Sequence, residues 1–247
     1  MSHQETSIVF TGDISFIGYM NGRWNDEKLL SKEVLAFCRS ADHVAANVEG
    51  SLYKADPGYD PLNKGMFCLS TDPAAVRVLD DIAADIWCVA NNHSFDMGRE
   101  GFESTAALAK QHGAKTLGGG LNKEEALKPV ILPECGGIGL LGLGYPPPCP
   151  AAGEDTPGVV QVQDIEAISR AIVEVKKSCR YCVVVAHGGE EFTNLPHPYI
   201  RDLYTAYIKA GADAVIGHHP HVIMNYEYVD GKPIFYSLGN FILTRIM

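Results

Sequence analysis

The sequence has 247 residues, of which 46% are hydrophobic, and its 20 basic and 30 acidic residues give a formal net charge of −10. This size and apolar content are enough for one well-buried domain, and the sequence contains no linker-like segment, so we predict a single domain over residues 1–247. The acidic balance argues against a general nucleic-acid binder and against adhesion to anionic membranes.

The sequence has no recognisable membrane or export signal. No apolar run reaches the roughly eighteen residues of a membrane-spanning helix, and residues 1–7 lack the regions of a signal peptide. We expect a cytoplasmic chain without a membrane segment, and attachment to a membrane in the native setting stays open. The seven cysteines lack the spacing of a disulfide framework, which favours reduced thiols. Cys179 and Cys182 form an isolated CxxC pair that we interpret as structural.

Segments with helical periodicity alternate with short apolar runs along most of the chain. Asp72 and Asp164 are suitable N-caps, and Gly113 and Gly211 are suitable helix stops. Alternation of strands and helices predicts the α/β class. The predicted helices are residues 26–39, 72–84, 99–112, 164–177 and 198–210.

Two further regions are typical of β-hairpins. Residues 129–143 contain two apolar runs around a Gly-rich turn, and residues 222–238 are divided by Asp230-Gly231, a strong hairpin signal. These hairpins predict antiparallel strands added to parallel ones, and therefore mixed sheets. The run of glycines at residues 118–120 lacks the surrounding pattern of a phosphate-binding loop and is interpreted as a turn.

Residues that can bind metals follow five of the predicted strands. Because ligands bind beyond the carboxyl ends of the strands in open α/β sheets, we expect these residues to lie close together. The four histidines outside these strand ends are interpreted as surface or structural residues. The strand-end residues are Asp13; Asn47 and Glu49; Asn91, Asn92, His93 and Asp96; His187; and His218, His219 and His221.

The last of these strand ends has the sequence Gly-His-His-Pro-His at residues 217–221. Side chains alternate in an extended segment, so His219 and His221 are predicted to point the same way and His218 the other way. Pro220 fixes φ between the two rings and limits their movement. A histidine-rich loop without a metal is the alternative for this segment.

The whole set suits two adjacent divalent metal ions, since carboxylate oxygens, an amide oxygen and imidazoles are ligands of manganese, iron and zinc. Glu49 is our candidate for a bridge, because a carboxylate has two oxygens. Two ions about 3.5–4 Å apart can clamp an in-line displacement, so hydrolysis of a small anionic phosphoester is the natural reaction. The set consists of Asp13, Glu49, Asn92, His93, His187, His219 and His221.

Several of these motifs, in this order, resemble those of known families. The segments 12–13 and 91–93, His187, and the segment 217–221 are similar to the metal motifs of calcineurin-like metallophosphoesterases. A narrower resemblance, to the CapA family named for poly-γ-glutamate capsule synthesis, covers the chain from Ile8 to Phe241. It is carried by NVEG at residues 47–50, NNHSFD at 91–96, HGGEEF at 187–192, GHHPH at 217–221 and YSLGNF at 236–241.

The resemblance implies a four-layer α/β/β/α sandwich with mixed sheets and with metals at the strand ends. It leaves His93 free to protonate a leaving oxygen or to hold the phosphate, and Asp96 in a position to orient His93. The implied ligands are Asp13 and His221 for one ion, Asn92, His187 and His219 for the other, and Glu49 as the bridge.

Further residues are expected to support these ligands or to contact the substrate. His218 is expected to be structural, and Arg23, shortly after Asp13, is a candidate contact for an anionic group. The other expected supporting residues are Asn47, Asn91, Glu191 and Asn240.

The sequence departs from the broader metallophosphoesterase pattern at two positions. Ser15 stands where that pattern has a histidine, and Glu49 stands where it has a bridging aspartate. The first ion is therefore expected to lack a nitrogen ligand and to bind more weakly. Family members commonly continue beyond the position of Met247, so we also expect part of the cleft wall to be missing.

Three functions are compatible with the sequence. The first is a metal-dependent hydrolase of phosphomonoesters or phosphodiesters. The second is a component of poly-γ-glutamate or capsule assembly that acts on an amide-linked anionic polymer. The third is a non-catalytic binding protein on the same fold. Substrate choice is expected to depend on cleft walls formed by residues 53–66 and 146–158.

Overall fold

The computed structural model describes residues 5–56, 58–59, 68–145 and 149–243. The α-helices are α1 (Lys32–Arg39), α2 (Val76–Asp81), α3 (Gly98–Gln111), α4 (Lys123–Leu127), α5 (Ile165–Ser178) and α6 (Pro198–Ala210). The strands are β1 (Ile8–Ile14), β2 (His43–Val48), β3 (Ser51–Leu52), β4 (Ser70–Thr71), β5 (Ile86–Cys88), β6 (Lys115–Leu117), β7 (Val130–Leu132), β8 (Ile138–Leu143), β9 (Tyr181–His187), β10 (Ala214–His218), β11 (Tyr226–Val229), β12 (Lys232–Phe235) and β13 (Asn240–Ile242).

Some sequence-based expectations concern residues outside this description. The single domain predicted over residues 1–247 and the cleft walls predicted at residues 53–66 and 146–158 lie partly outside the described residues. Within the described part, no helix combines the length and the apolar character that crossing a membrane requires.

The strands form two large sheets and one small one. The five-stranded sheet has the order β13-β1-β2-β5-β6 and is parallel throughout. The six-stranded sheet has the order β11-β12-β10-β9-β8-β7, with parallel strands inside and an antiparallel strand at each edge. Both edge strands come from the predicted hairpins, so the prediction of mixed pairing is confirmed. The small sheet pairs β3 with β4.

Three apolar clusters separate four layers. One cluster packs α1, α2 and α3 against the five-stranded sheet and includes Val44 and Ala46. The second lies between the sheets and includes Ala45 and Leu140. The third packs α5 and α6 on the outer face of the six-stranded sheet. Successive residues of β2 therefore face opposite layers, as a pleated strand requires. The predicted α/β/β/α sandwich is confirmed.

The first two predicted helices are shorter than expected. Residues 26–31 are not α-helical, because the Asp26 side chain accepts a hydrogen bond from the Lys28 amide in a local turn. Helix α1 begins only after Ser31, whose hydroxyl caps the Val34 amide. After Asp72, a 3₁₀ turn precedes α2, and Ala83 ends this region with a φ of 56°. The other three helices lie within one residue of prediction.

The glycines at residues 118–120 form a bend at Gly118 and a bridge from Gly120 to Gly158, not the predicted turn, and the structure gives a reason for their small size. Gly118 has a positive φ, and a Cβ on it would overlap Ala90 and approach the backbone of Gly142. Gly142 lies in the other large sheet. The two sheets thus approach each other closely at this pair of glycines.

The layer between the sheets offers a direct test of the fold. Leu140 is 0% exposed there, so replacing it with alanine should lower the free energy of unfolding by about 2–5 kcal/mol through lost burial and a residual cavity. Ile131→Ala, at a 40% exposed position on the neighbouring strand, is the control and should cost much less. Urea titration measures both. Equal losses would mean that Leu140 is not in a packed layer.

Candidate metal centre

The metal-competent residues gather where the carboxyl ends of strands from both large sheets meet. Asp13 in β1 lies opposite Asn47 in β2, and Asn92 follows β5, all in the five-stranded sheet. His187 ends β9 and lies opposite His218, which ends β10, in the six-stranded sheet. Since these strands are parallel within each sheet, their polar ends share one edge, and the two edges together supply the site.

His187 lies at the centre of this group and is 2% exposed. Its Nε2 atom is 2.8 Å from Asn92 Oδ1 and 3.2 Å from His219 Nδ1. Burial lowers the pKa of His187 well below its usual value, and the neighbouring His219 acts in the same direction. Burial likewise lowers the pKa of His219 to about 4. Both rings are therefore neutral at pH 7, which is the form in which an imidazole binds a metal.

Asp13 forms a second part of the group and is 0% exposed. Its Oδ1 accepts a hydrogen bond of 2.7 Å from Asn47 Nδ2, and its Oδ2 is 3.1 Å from His221 Nδ1. Burial works to raise the pKa of Asp13, but the hydrogen bond with His221 and the charges of His218 and His221 lower it. Burial works to lower the pKa of His221, but Asp13 and Glu49 raise it to about 9.

Asn47 and Asn240 connect these parts to their surroundings. The Asn47 amide nitrogen lies 3.3 Å from His187 Nδ1 as well as 2.7 Å from Asp13, so this residue joins the two parts. Asn240, at the start of β13, has its Oδ1 2.9 Å from His221 Nδ1. Asn240 thus fixes the orientation of the His221 ring from the edge of the five-stranded sheet.

Glu49 is the least satisfied residue of the group. It is 2% exposed, and neither carboxylate oxygen has a hydrogen-bond partner. One oxygen is 3.7 Å from His221 Nε2 and 3.9 Å from His93 Nε2. Burial, and then the charge of Asp13, raises the pKa of Glu49 well above its usual value. A buried carboxylate without a partner is costly, so this position calls for a cation.

His93 and Asp96 form a separate pair beside Glu49. The His93 Nδ1 atom is 2.7 Å from Asp96 Oδ2, and the same oxygen accepts a hydrogen bond of 2.6 Å from the Leu69 amide. Asp96 is 0% exposed. Because Asp96 only accepts, His93 Nδ1 carries the proton and Nε2 faces Glu49. The carboxylate therefore selects one tautomer of His93 and holds its ring in place.

Asn91 shapes the loop that carries Asn92 and His93. Its side-chain nitrogen donates to the Val48 carbonyl over 2.8 Å, and its Oδ1 accepts from the His93 amide over 3.1 Å. The Ser94 hydroxyl is 3.0 Å from the same Oδ1. These bonds tie the loop after β5 to the end of β2, next to Glu49. Asn91 thus supports the site through the backbone.

The physical basis predicted for the histidine-rich segment was wrong. His219 and His221 do not lie in an extended strand, because β10 ends at His218. They lie in a bend in which His219 has a φ of 98° and His221 a φ of 59°. Their ring centroids are 6.0 Å apart, so the rings still face one region. The left-handed bend brings them together where strand alternation was expected to do so.

Three residues named from the sequence lie outside the central group. His218 is 1% exposed, and its Nε2 atom is 2.9 Å from the Thr11 carbonyl oxygen. Glu191 is exposed, although its charge contributes to the raised pKa of Glu49. The Arg23 guanidinium lies 3.9 Å from the centroid of the Tyr19 ring and donates to the Tyr19 carbonyl over 3.1 Å.

The sequence did not indicate some of the groups that contact the site residues. The Leu69 amide and the Thr11 carbonyl are backbone groups, for which side-chain patterns give no signal. Tyr145, whose ring centroid is 5.6 Å from that of His219, follows a strand end without a polar motif. Ser94 lies inside the Asn-Asn-His-Ser-Phe-Asp motif, so its sequence position could have marked it.

The donor set fits divalent metal ions. Asn92 Oδ1 and His219 Nδ1 both lie within hydrogen-bond distance of His187 Nε2, and all three atoms have lone pairs that can bind a metal in the appropriate tautomer. Ligand atoms of Asp13, Glu49 and His187 all lie within 4.8 Å of one another. Both oxygens of Glu49 lack a hydrogen-bond partner, and a bound cation would satisfy them. Oxygen and imidazole ligands suit manganese, iron or zinc.

The stability of the protein should respond to metal through Glu49. In metal-free protein, Glu49→Gln should raise the free energy of unfolding by about 1 kcal/mol, because a neutral amide is less costly to bury than a carboxylate and is not repelled by Asp13. With a cation at about 100 times its Kd, the wild type should gain about 2.7 kcal/mol and the variant much less. Denaturant titrations with and without manganese measure these gains. Glu124→Gln, at an exposed position, is the control. If manganese stabilised Glu49→Gln as much as the wild type, Glu49 would not be a metal ligand.

Solved structures of other proteins share this fold. The 5′-nucleotidase precursor from Thermus thermophilus aligns with a TM-score of 0.54 and 15% identity, over 94% of this chain and 48% of that one. A putative 5′-nucleotidase from Staphylococcus aureus aligns with a TM-score of 0.55 and 16% identity, over 95% and 49%. The chain therefore shares its fold with these two proteins.

The family follows from sequence comparison. The model of the family described as bacterial capsule synthesis protein PGA_cap matches residues 7–245, and the chain belongs to this family. The PGA biosynthesis protein CapA of Bacillus subtilis (strain 168) is 33% identical over 97% of this chain and 63% of that protein. The capsule biosynthesis protein CapA of Bacillus anthracis is 29% identical over 87% and 53%. The chain thus spans between half and two thirds of the length of these relatives.

Proposed function

We propose that the chain is a metal-dependent hydrolase that cleaves phosphoesters with two divalent cations bound at the strand ends. The observation that carries this proposal is the buried cluster in which Asp13, Glu49 and His187 offer ligand atoms within 4.8 Å of one another, while both Glu49 oxygens lack a partner. Buried groups of this kind are costly without a cation.

The distances favour a specific division of the ligands. Asn92, His187 and His219 would hold one ion, since Asn92 Oδ1 and His219 Nδ1 are 2.8 and 3.2 Å from His187 Nε2. Asp13 and the Nε2 atom of His221, which faces Glu49 at 3.7 Å, would hold the other ion, which would have no further nitrogen ligand because residue 15 is a serine. Glu49, whose two oxygens lack hydrogen-bond partners, would bridge the two. Manganese, iron and zinc all suit these donors.

The protein residues supply orientation and proton transfer. When bound, divalent cations polarise phosphoryl oxygens and activate water as a nucleophile. His93 lies beside Glu49 without being needed as a ligand, and protonated at Nε2 it donates a proton to the leaving oxygen. Asp96 keeps the His93 Nδ1 proton in place and stabilises the charged ring. Asn47 and Asn240 hold the Asp13 carboxylate and the His221 ring.

A second candidate substrate comes from the relatives. A protein named for PGA biosynthesis is 33% identical over almost the whole chain, which favours an amide-linked γ-glutamyl polymer. Such a polymer is anionic like a phosphoester, and cations at the strand ends would attract either substrate despite the acidic chain. The same residues would then act on a carbonyl instead of a phosphoryl group.

The test combines metal content with substrate choice. Wild type and His219→Ala are purified without added metal, and manganese, iron and zinc are measured per chain. Both proteins are then assayed on p-nitrophenyl phosphate, bis-p-nitrophenyl phosphate and poly-γ-glutamate. Metal in the wild type, lost in the variant together with phosphoester cleavage, supports the proposal. Cleavage of the polymer alone selects the second candidate. A wild type that takes up no metal on titration would contradict the proposal and favour a non-catalytic binding protein on the same fold.

A further inference from the structure

The cluster depends on the relative position of the two large sheets. Asp13, Glu49 and Asn92 belong to the five-stranded sheet or the loops that follow its strands, whereas His187, His219 and His221 belong to the six-stranded side. The donor atoms of Asn92 and His187 are 2.8 Å apart across this division. A small shift between the sheets would therefore separate ligands of the same ion.

His218 forms a direct connection between the sheets at this level. It ends β10 in the six-stranded sheet, and its Nε2 atom is 2.9 Å from the carbonyl oxygen of Thr11 in β1 of the five-stranded sheet. Thr11 is 3% exposed and precedes Asp13 by two residues, while His218 is 1% exposed and adjacent to His219. The bond thus joins the backbone that carries a ligand of one ion to the backbone that carries a ligand of the other.

The chemistry of the bond fixes the tautomer of His218. A carbonyl oxygen only accepts, so Nε2 carries the proton and donates it. The Nδ1 atom is buried and has no hydrogen-bond partner. Leaving that atom without a hydrogen bond destabilises the folded protein, and an apolar side chain of similar size would avoid this cost. The histidine at this position is thus explained better by the relative position of the sheets that its hydrogen bond imposes than by a gain in stability.

We propose that His218 is a positioning residue that holds the two sheets at the separation the metal ligands require, through its hydrogen bond to the Thr11 carbonyl. The proposal rests on the metal-binding function proposed above. His218 acts on the ions through Asp13 and His219 and is not itself a ligand. Groups that orient metal ligands contribute about 10–100-fold to metal affinity, and this is the effect expected for His218.

The test compares three variants of the full chain. His218→Phe removes the donor and keeps a ring, whereas His218→Gln keeps an N–H donor of similar reach. His43→Phe is the matched control, because His43 begins β2 at the far end from the site and pairs with Asp85 over 2.6 Å. Manganese affinity is measured by calorimetry and folding by urea titration. In metal-free protein, amide exchange is followed at Asp13, bonded to Gly239, and at Gly188, bonded to His218.

We expect His218→Phe to bind manganese at least about tenfold more weakly, His218→Gln to recover most of the loss, and His43→Phe to keep wild-type affinity. Exchange at Asp13 and Gly188 should rise in His218→Phe relative to amides of β7. Unchanged affinity and unchanged local exchange in His218→Phe would overturn the proposal. If the Phe and Gln variants both lost one metal equivalent, His218 would be a metal ligand itself, and the proposal would be overturned.

The outcome stays separate from that of the proposed function. A wild type that binds no manganese would contradict the proposed function. The amide exchange rates of the metal-free protein would still test whether His218 connects the two sheets. Faster exchange confined to the ends of β1 and β9 supports the connection. Exchange that rises equally in β7 indicates general destabilisation and rejects it.

Discussion

Replacing His187 with alanine should remove bound metal and lower phosphoester hydrolysis by about a thousandfold or more. His187 approaches Asn92 and His219 through Nε2 and Asn47 through Nδ1, so its removal breaks contacts on both sides of the ring. Losing several kcal/mol of charge stabilisation by a cation corresponds to a rate loss of this order. Metal analysis and steady-state kinetics on p-nitrophenyl phosphate measure both effects.

His112→Ala provides the control for this variant. His112 follows α3 and is 3.0 Å from Asp80, away from the strand ends, so its removal should leave metal content and kcat unchanged. Urea titration establishes that the His187 variant is folded. A folded His187→Ala protein with full metal content and wild-type turnover would exclude the proposed centre.

Replacing His93 with glutamine should give a different result, with metal retained and kcat reduced. Loss of a general acid costs about 10²–10⁴-fold, and the loss depends on how much help the leaving group needs. The effect should therefore be large with an alkyl phosphate and small with p-nitrophenyl phosphate, whose leaving group needs no proton. KM should change little, and metal analysis should match the wild type.

Asp96→Asn should show a smaller loss of activity of the same kind as His93→Gln. The carboxylate that stabilises charged His93 becomes a neutral amide, so kcat should fall less than in His93→Gln and with the same dependence on the leaving group. If His93→Gln instead lost metal, His93 would be a ligand and not an acid. If both substrates slowed equally, the leaving oxygen would be protonated by another group.

The sequence was informative about the fold wherever local signals agreed with tertiary packing. Helix α6 has the predicted bounds, because Pro198 suits the first turn and Gly211 adopts the left-handed C-terminal conformation. The Asp230-Gly231 turn likewise joins an antiparallel pair. Residues 26–31 show the limit of such prediction, since their apolar periodicity competes with a local hydrogen bond from the Lys28 amide to Asp26.

For the site, the sequence could indicate membership of a strand-end cluster but not its geometry. The order of motifs marked Asp13, Asn92 and His187, because parallel strands bring their carboxyl ends to one edge. It could not show that Asn47 would join Asp13 to His187, since that contact depends on how two sheets pack. Nor could it show the bend at His219, which depends on a backbone conformation that histidine seldom adopts.

The positive φ values of His219 and His221 have a consequence for the balance between folding and catalysis. Such conformations cost about 1–3 kcal/mol for residues other than glycine. Metal-free His219→Gly should therefore unfold at higher urea concentration than metal-free His219→Ala, although glycine is elsewhere the more destabilising replacement. The reverse order would show that the bend is unstrained. At these two positions, glycine would stabilise the backbone conformation best, whereas only histidine supplies an imidazole. Selection for stability alone would therefore replace the proposed metal ligands.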